Sequence, residues 1–327
     1  MGVLETCMTL LMAAHLLCVN LAAGGPIIAA WLDWRGCRGD EAAAKAAVYL
    51  ARWSLAAFPT GAAIGLIFGW LKWDADYRAL WLGPLSYKLH WAVIEAVFSL
   101  VLLIAWWLWL PGKGSRLRVP AAARGLLALL AATNLLYHFP VLFAVATRLH
   151  DSGQTHGTRI SGAEFRKLMV AGDIPALWVH VAAASIAVAG VVLLGYALQL
   201  RRAGHEQRAA RMAMWGGRWA LIPSLVQVPV GLWTLATLSP SAQSQIMGVS
   251  MVGMLLLVTA ILAAFWLVSD LMKVALGDVA RPMLIRVMTA MLLTVILMTA
   301  LEQQTRNSPS PIDAPSNPST SSTTPIP

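Results

Sequence analysis

Runs of about 20 apolar residues recur along this chain from end to end. Each is long enough to cross the hydrocarbon core of a bilayer as a helix. The runs are continuous rather than alternating, which excludes an outer-membrane barrel. Eight are predicted, over 8–31, 50–71, 86–110, 122–147, 174–199, 215–238, 246–271 and 281–301. Polar breaks rich in Gly or Pro separate them, such as WLDWRGCRGDE, LPGKGSR and LSPSAQSQ. With 58% hydrophobic and 12% charged residues, the chain is no ordinary soluble domain, in which about a quarter of residues carry charge. The predicted fold class is all-α: a polytopic membrane protein of about eight transmembrane helices.

The net charge of +9 would suit a nucleic-acid partner, but its distribution argues against one. The Lys and Arg cluster in the breaks, and the odd-numbered loops with their flanks hold twice as many as the rest. By the positive-inside rule the odd loops are cytoplasmic and both termini lie outside a bacterial inner membrane. Cys7, Cys18 and Cys37 fit neither a zinc site nor covalent haem attachment, and no disulfide is expected. The first apolar run lacks a basic leader and reads as a retained helix.

Residues 1–302 form the expected membrane domain. Residues 303–327, rich in Ser, Thr, Pro and Asn, read as a disordered tail. The longest connection, 148–173, contains SGAE at 161–164, a capping box that opens a short interfacial helix with Phe165 and Leu168 on its apolar side.

Ionisable groups inside a bilayer are costly, so their placement is the main functional signal. His15, His90, His138 and His180 fall within spans, and Glu95 is the carboxylate deepest in one. All five fall in the outer half of the membrane or near its centre. A single such His is often a packing residue; four on four helices at similar depth are harder to explain that way. Zinc would need local spacing such as H-E-x-x-H, which is absent. Haem b needs one or two neutral axial ligands in a dry four-helix pocket with bulky apolar walls, and 15 Trp and 14 Met are available. Haem binding within four-helix bundles is therefore the leading expectation. A haem-free transporter or scaffold using the same His and Glu is the alternative.

Several stretches carry a resemblance. Span one reads HLLCVNLAAGGP from His15. Span two reads SLAAFPTGAAIGLIFGW, followed at 74–77 by DADY. Span three reads GPLSYKLHWAVIEAVFSLVLLIAWW, and span four NLLYHFPV from Asn134. Span five reads ALWVHVAAASIAVAGVVLLGYAL, and span seven opens SQIMGVSMVGMLL. In this order, over about residues 8–270, they resemble subunit I of the cytochrome bd quinol oxidases. The resemblance implies two or more haems b. It implies His180 and Met247 as the axial ligands of a low-spin haem, with Met251 and Met254 as fallbacks. It implies His15 as ligand of a second haem, with His138 or His90 completing that site, and Glu95 as a proton carrier or distal polar group.

The departures from that family are specific. The loop SPSAQSQ at 239–245 stands where the family carries a large quinol-binding loop, and Gln245 stands for an Arg. The first Glu of the span-three motif falls on Tyr87 or Lys88. The segment supplying a third haem's Glu ligand is missing, and WGGRW at 215–219 lies on a different helix. The expectation is a shortened relative that passes electrons to a haem centre or partner, possible terminal acceptors including oxygen. Its expected partners are membrane lipid and a second membrane subunit or an outer-side redox protein. Arg148, Arg159, Arg166 and Lys167 would hold haem propionates or attract an acidic redox partner.

Overall fold

The computed structural model describes residues 2–111, 119–238, 243, 244, 247 and 250–306. Ten helices are formed among them: α1 (Val3–Gly36), α2 (Glu41–Leu71), α3 (Ala75–Leu82), α4 (Ser86–Trp109), α5 (Ala121–Asp151), α6 (Gly162–Met169), α7 (Ile174–Arg202), α8 (Glu206–Thr237), α9 (Met251–Leu276) and α10 (Arg281–Arg306). Eight are long and apolar enough to cross a membrane, and α3 and α6 are the short exceptions. The chain is a multi-pass, all-helical membrane protein.

Several helices outrun their apolar stretches. α2 begins nine residues before the predicted span, because EAAAKAAVYL is a strong helix-forming run whose Ala42, Ala43, Ala46 and Ala47 are buried. α8 likewise begins at Glu206 with its arginines already helical. A helix needs no hydrocarbon around it to continue, and Lys and Arg stems can reach toward the headgroups. α10 continues past the predicted tail boundary to Arg306; 307–327 lie outside the described residues.

α1, α2, α4 and α5 pack in a closed square, each against the next, and α7, α8, α9 and α10 form a second. The two bundles meet along α1 and α7. Small residues make this seam close: a Cβ on Gly24 would fall 2.0 Å from the Ser185 backbone oxygen. Between α1 and α2, one on Gly25 would fall 1.9 Å from Ser54 Oγ. Between α7 and α8, Gly190 and Gly216 approach each other's backbones in the same way. Such contacts supply packing where lipid removes the hydrophobic drive between helices.

α3 and α6 lie at the end that carries both termini. Phe165 of α6 is buried in a small core with Leu80, Trp81, Val145 and Leu149. Ser161 Oγ accepts from the Glu164 N–H at 3.2 Å, so the capping signal does start this helix. α6 packs against α5, and its apolar side is turned toward protein.

Buried ion pairs fasten the opposite end. Arg124 of α5 grips Asp33 of α1 through two nitrogens, at 2.9 and 3.0 Å. Both side chains are almost wholly buried. In the second bundle, the fully buried carboxylate of Asp270 on α9 takes Arg286 of α10 at 2.7 Å and Lys273 at 3.1 Å.

Candidate functional site

His15 lies in the α1–α2 seam. Its Nδ1 is 2.8 Å from the Gly61 backbone oxygen. A carbonyl only accepts, so Nδ1 carries the ring proton and Nε2 holds the free lone pair. One turn further along α2, a Cβ on Gly65 would fall 2.7 Å from His15 Cε1. Gly65 thus opens the notch in which the imidazole sits, while Gly61 lets α2 approach Cys18 and Val19 of α1.

His138 and Glu95 are brought together across α4 and α5, with His138 Nε2 3.8 Å from Glu95 Oε1. Asn134, one turn before His138, donates to Ser99 Oγ at 2.8 Å and to the Glu95 backbone oxygen at 3.2 Å. Tyr137 stands edge-on to the His138 ring at 4.9 Å. This polar strip runs along the contact of two apolar helices, from the buried Ser99 to the partly exposed His138.

His180 is half-buried on α7. Two residues earlier, Trp178 Nε1 donates to the Leu136 oxygen of α5 at 2.7 Å. At the end that carries the termini, Gln303 of α10 accepts a hydrogen bond from Thr9 of α1 at 2.7 Å, and α1, α7 and α10 pack against one another.

Met247 lies between α8 and α9 and is 53% exposed. No hydrogen bond joins it to His180 among the described residues, and Gln245 lies outside them. His90 is exposed on α4, beside Trp91. Among the described residues no three His, Cys, Asp or Glu side chains converge as a metal-ion site. A haem iron needs only one or two protein ligands.

The four cations of the 148–173 region are all exposed at the same end. The Arg159 guanidinium stacks 3.8 Å from the Tyr87 ring centroid. Lys88 sits 4.0 Å from that of Phe165.

Sequence reasoning passed over the buried polar pairs. Asn20 Oδ1 of α1 accepts from Ser185 Oγ of α7 at 2.9 Å, and Asn134 meets Ser99. The available signal was a polar side chain in the middle of an apolar run, which in a membrane must find a partner on a neighbouring helix. Asp33 falls just beyond the first predicted span and Asp270 at the very end of the seventh, so neither stands out in the sequence as a carboxylate deep in the membrane.

No protein-family model matches the chain, and no curated protein matches it. A solved structure does: the bd oxidase from Geobacillus thermodenitrificans, with a TM-score of 0.74 at 14% sequence identity, over 93% of this chain and 87% of that one. The fold defines a polytopic helical membrane protein with the architecture of that oxidase chain. The shared fold runs through both four-helix bundles, well beyond the stretches that carry the sequence resemblance.

Proposed function

We propose that this protein is a membrane-bound b-type haem electron-transfer protein of the bd oxidase subunit I type. It would lie in a bacterial inner membrane with both termini outside. The observation that carries the reading is the set of His15. Its proton is committed to the Gly61 carbonyl, so Nε2 is left as a neutral donor in an apolar seam. A hydrogen bond from the far ring nitrogen to a carbonyl is what orients a metal-binding imidazole. The likeness to the bd oxidase fold supports the reading from a separate direction.

The donor set suits haem b: neutral imidazoles on α1 and α7 and a thioether from the connection between α8 and α9. His180 and Met247 would hold a low-spin haem, and His15 a second. Haem iron would supply one-electron chemistry. The chain's own residues would do the rest. Gly61 fixes the His15 tautomer. Gly65 leaves room for the ring. Glu95 would hold and pass a proton with His138 as its partner, so we assign His138 to that pair rather than to iron. His90, exposed on α4, is the weaker ligand candidate.

The short SPSAQSQ connection argues for a donor other than quinol at a folded loop. The exposed Arg148, Arg159, Arg166 and Lys167 suit an acidic redox partner on the outer side, whose reduction of the protein should slow as salt screens the charges. A second membrane subunit would cover part of the exposed apolar surface.

The test is a reduced-minus-oxidised spectrum of the purified full chain, with pyridine haemochrome stoichiometry. More than one haem b per chain is expected. A well-folded preparation without a Soret band would end the reading. It would favour a haem-free transporter built on Glu95 and His138.

A further inference from the structure

At the end opposite the termini, an open-sided apolar groove runs between α1 and α5 where the two bundles meet. Its volume is about 600 Å³. Trp31 and Trp34 line it from α1, Gly125, Leu126 and Leu129 from α5, and Trp219 closes it from α8. From Trp34 to Ile27 it descends seven residues of helix, about 10 Å. Tryptophans settle at the headgroup level of a bilayer, so the mouth of the groove lies there and its floor in the hydrocarbon.

A polar pocket of about 410 Å³ lies beside that mouth, lined by Arg38, Asp40, Glu41, Arg208 and Arg211. The two carboxylates are already engaged: Asp40 with Arg211 at 3.4 Å and Arg35 at 3.6 Å, and Glu41 with Lys45 at 2.7 Å. Cations are therefore in excess. Arg38 makes no ion pair among the described residues, and its guanidinium lies 3.9 Å from the centroid of Trp34. It thus joins the polar pocket to a wall of the apolar groove.

We propose that this junction is a binding site for an anionic phospholipid. The phosphate sits among Arg38, Arg208 and Arg211, and an acyl chain lies in the α1–α5 groove. Basic pockets between transmembrane helices select anionic headgroups through charge, and the groove adds the apolar complement that a purely electrostatic patch lacks. The site is independent of any haem.

The groove can be closed without disturbing the fold. A Cβ on Gly125 meets nothing within 4 Å, and leucine is a better helix former than glycine. The full chain, purified in a zwitterionic detergent, is titrated with phosphatidylglycerol or phosphatidylcholine and read by native mass spectrometry and thermal unfolding. One phosphatidylglycerol per chain is expected, held at least tenfold more tightly than phosphatidylcholine. Arg38→Gln should abolish the preference between the two lipids. Gly125→Leu should abolish retention of either lipid while the unlipidated protein melts no earlier than wild type. Ala122→Leu, at the mouth, is the second filling variant should the first fail to fold. Equal binding of the two lipids by wild type would overturn the proposal. So would wild-type affinity in a folded groove-filled variant, or a groove occupied by a copurifying apolar peptide.

Discussion

Trp178 of α7 completes a hydrogen bond that Pro140 of α5 leaves open. Pro140 has no N–H, so the Leu136 carbonyl four residues earlier lacks its helical partner. Trp178 Nε1 reaches that oxygen at 2.7 Å. A helix interruption in one bundle is thereby repaired by a side chain from the other, two residues from His180. The contact couples the bundles where a bilayer offers no water to satisfy the carbonyl.

Trp178→Phe should therefore destabilise the protein by about 1–2 kcal/mol. The same change should cost less than half as much in a Pro140→Ala background, where the backbone N–H satisfies Leu136. Thermal or denaturant unfolding of the two single variants and the double variant in detergent checks this. Equal costs in both backgrounds would reduce Trp178 to a packing residue.

The Asp33–Arg124 pair is nearly fully buried. Arg124 is also near Cys37 Sγ at 3.1 Å and donates to the Val119 carbonyl. Removing one charge strands the other, so Asp33→Ala or Arg124→Met should each cost about 3–5 kcal/mol. Asp33→Leu combined with Arg124→Met should cost less than either single change. Melting temperatures of the three variants decide it.

On the proposed haem assignment, His15→Ala should remove one haem signal and leave the spectrum of the haem proposed at His180 in place. Gly65→Val should do the same while retaining the imidazole, because its Cβ would fall within 2.7 Å of the His15 ring and the ring must leave its notch. Spectra and haem stoichiometry are the measurements. A Gly65→Val protein with a full haem complement would detach the notch from ligation.

Glu95 and His138 should be energetically coupled by about 0.5–3 kcal/mol, as residues in contact are. A double-mutant cycle with Glu95→Gln and His138→Gln measures the coupling. His138→Gln should also keep the wild-type number of haems, since the histidine is assigned to Glu95. Loss of a haem would return His138 to the ligand set.

Two native cysteines report the topology. Cys7 and Cys37 are exposed at opposite ends of α1, and Cys18 is half-buried between them. In intact cells stripped of the outer barrier, a membrane-impermeant maleimide should modify Cys7 and spare Cys37. Inside-out vesicles should reverse the pattern. Labelling of Cys37 from outside would invert the proposed orientation.

The sequence by itself determined that the chain crosses a membrane as eight helices. Uninterrupted apolar runs allow nothing else, and each run can be read without knowing its neighbours. It also announced α6, through the local signal of Ser161 and Glu164, and it singled out His15, His138, His180 and Glu95, because polar side chains in apolar runs stand out. It did not show that α2 and α8 continue beyond their apolar stretches or that α3 is a helix, since helical backbone tolerates charge outside the hydrocarbon. Only the tertiary structure decided which polar groups meet. It placed His138 on Glu95, His15 under the Gly61 carbonyl, Arg124 on Asp33 and Trp178 on the oxygen freed by Pro140. These pairs join residues 42 to 91 positions apart in the chain, and what pairs them is the packing of helices in closed squares. That packing depends on every helix at once and leaves no trace in the periodicity of any one.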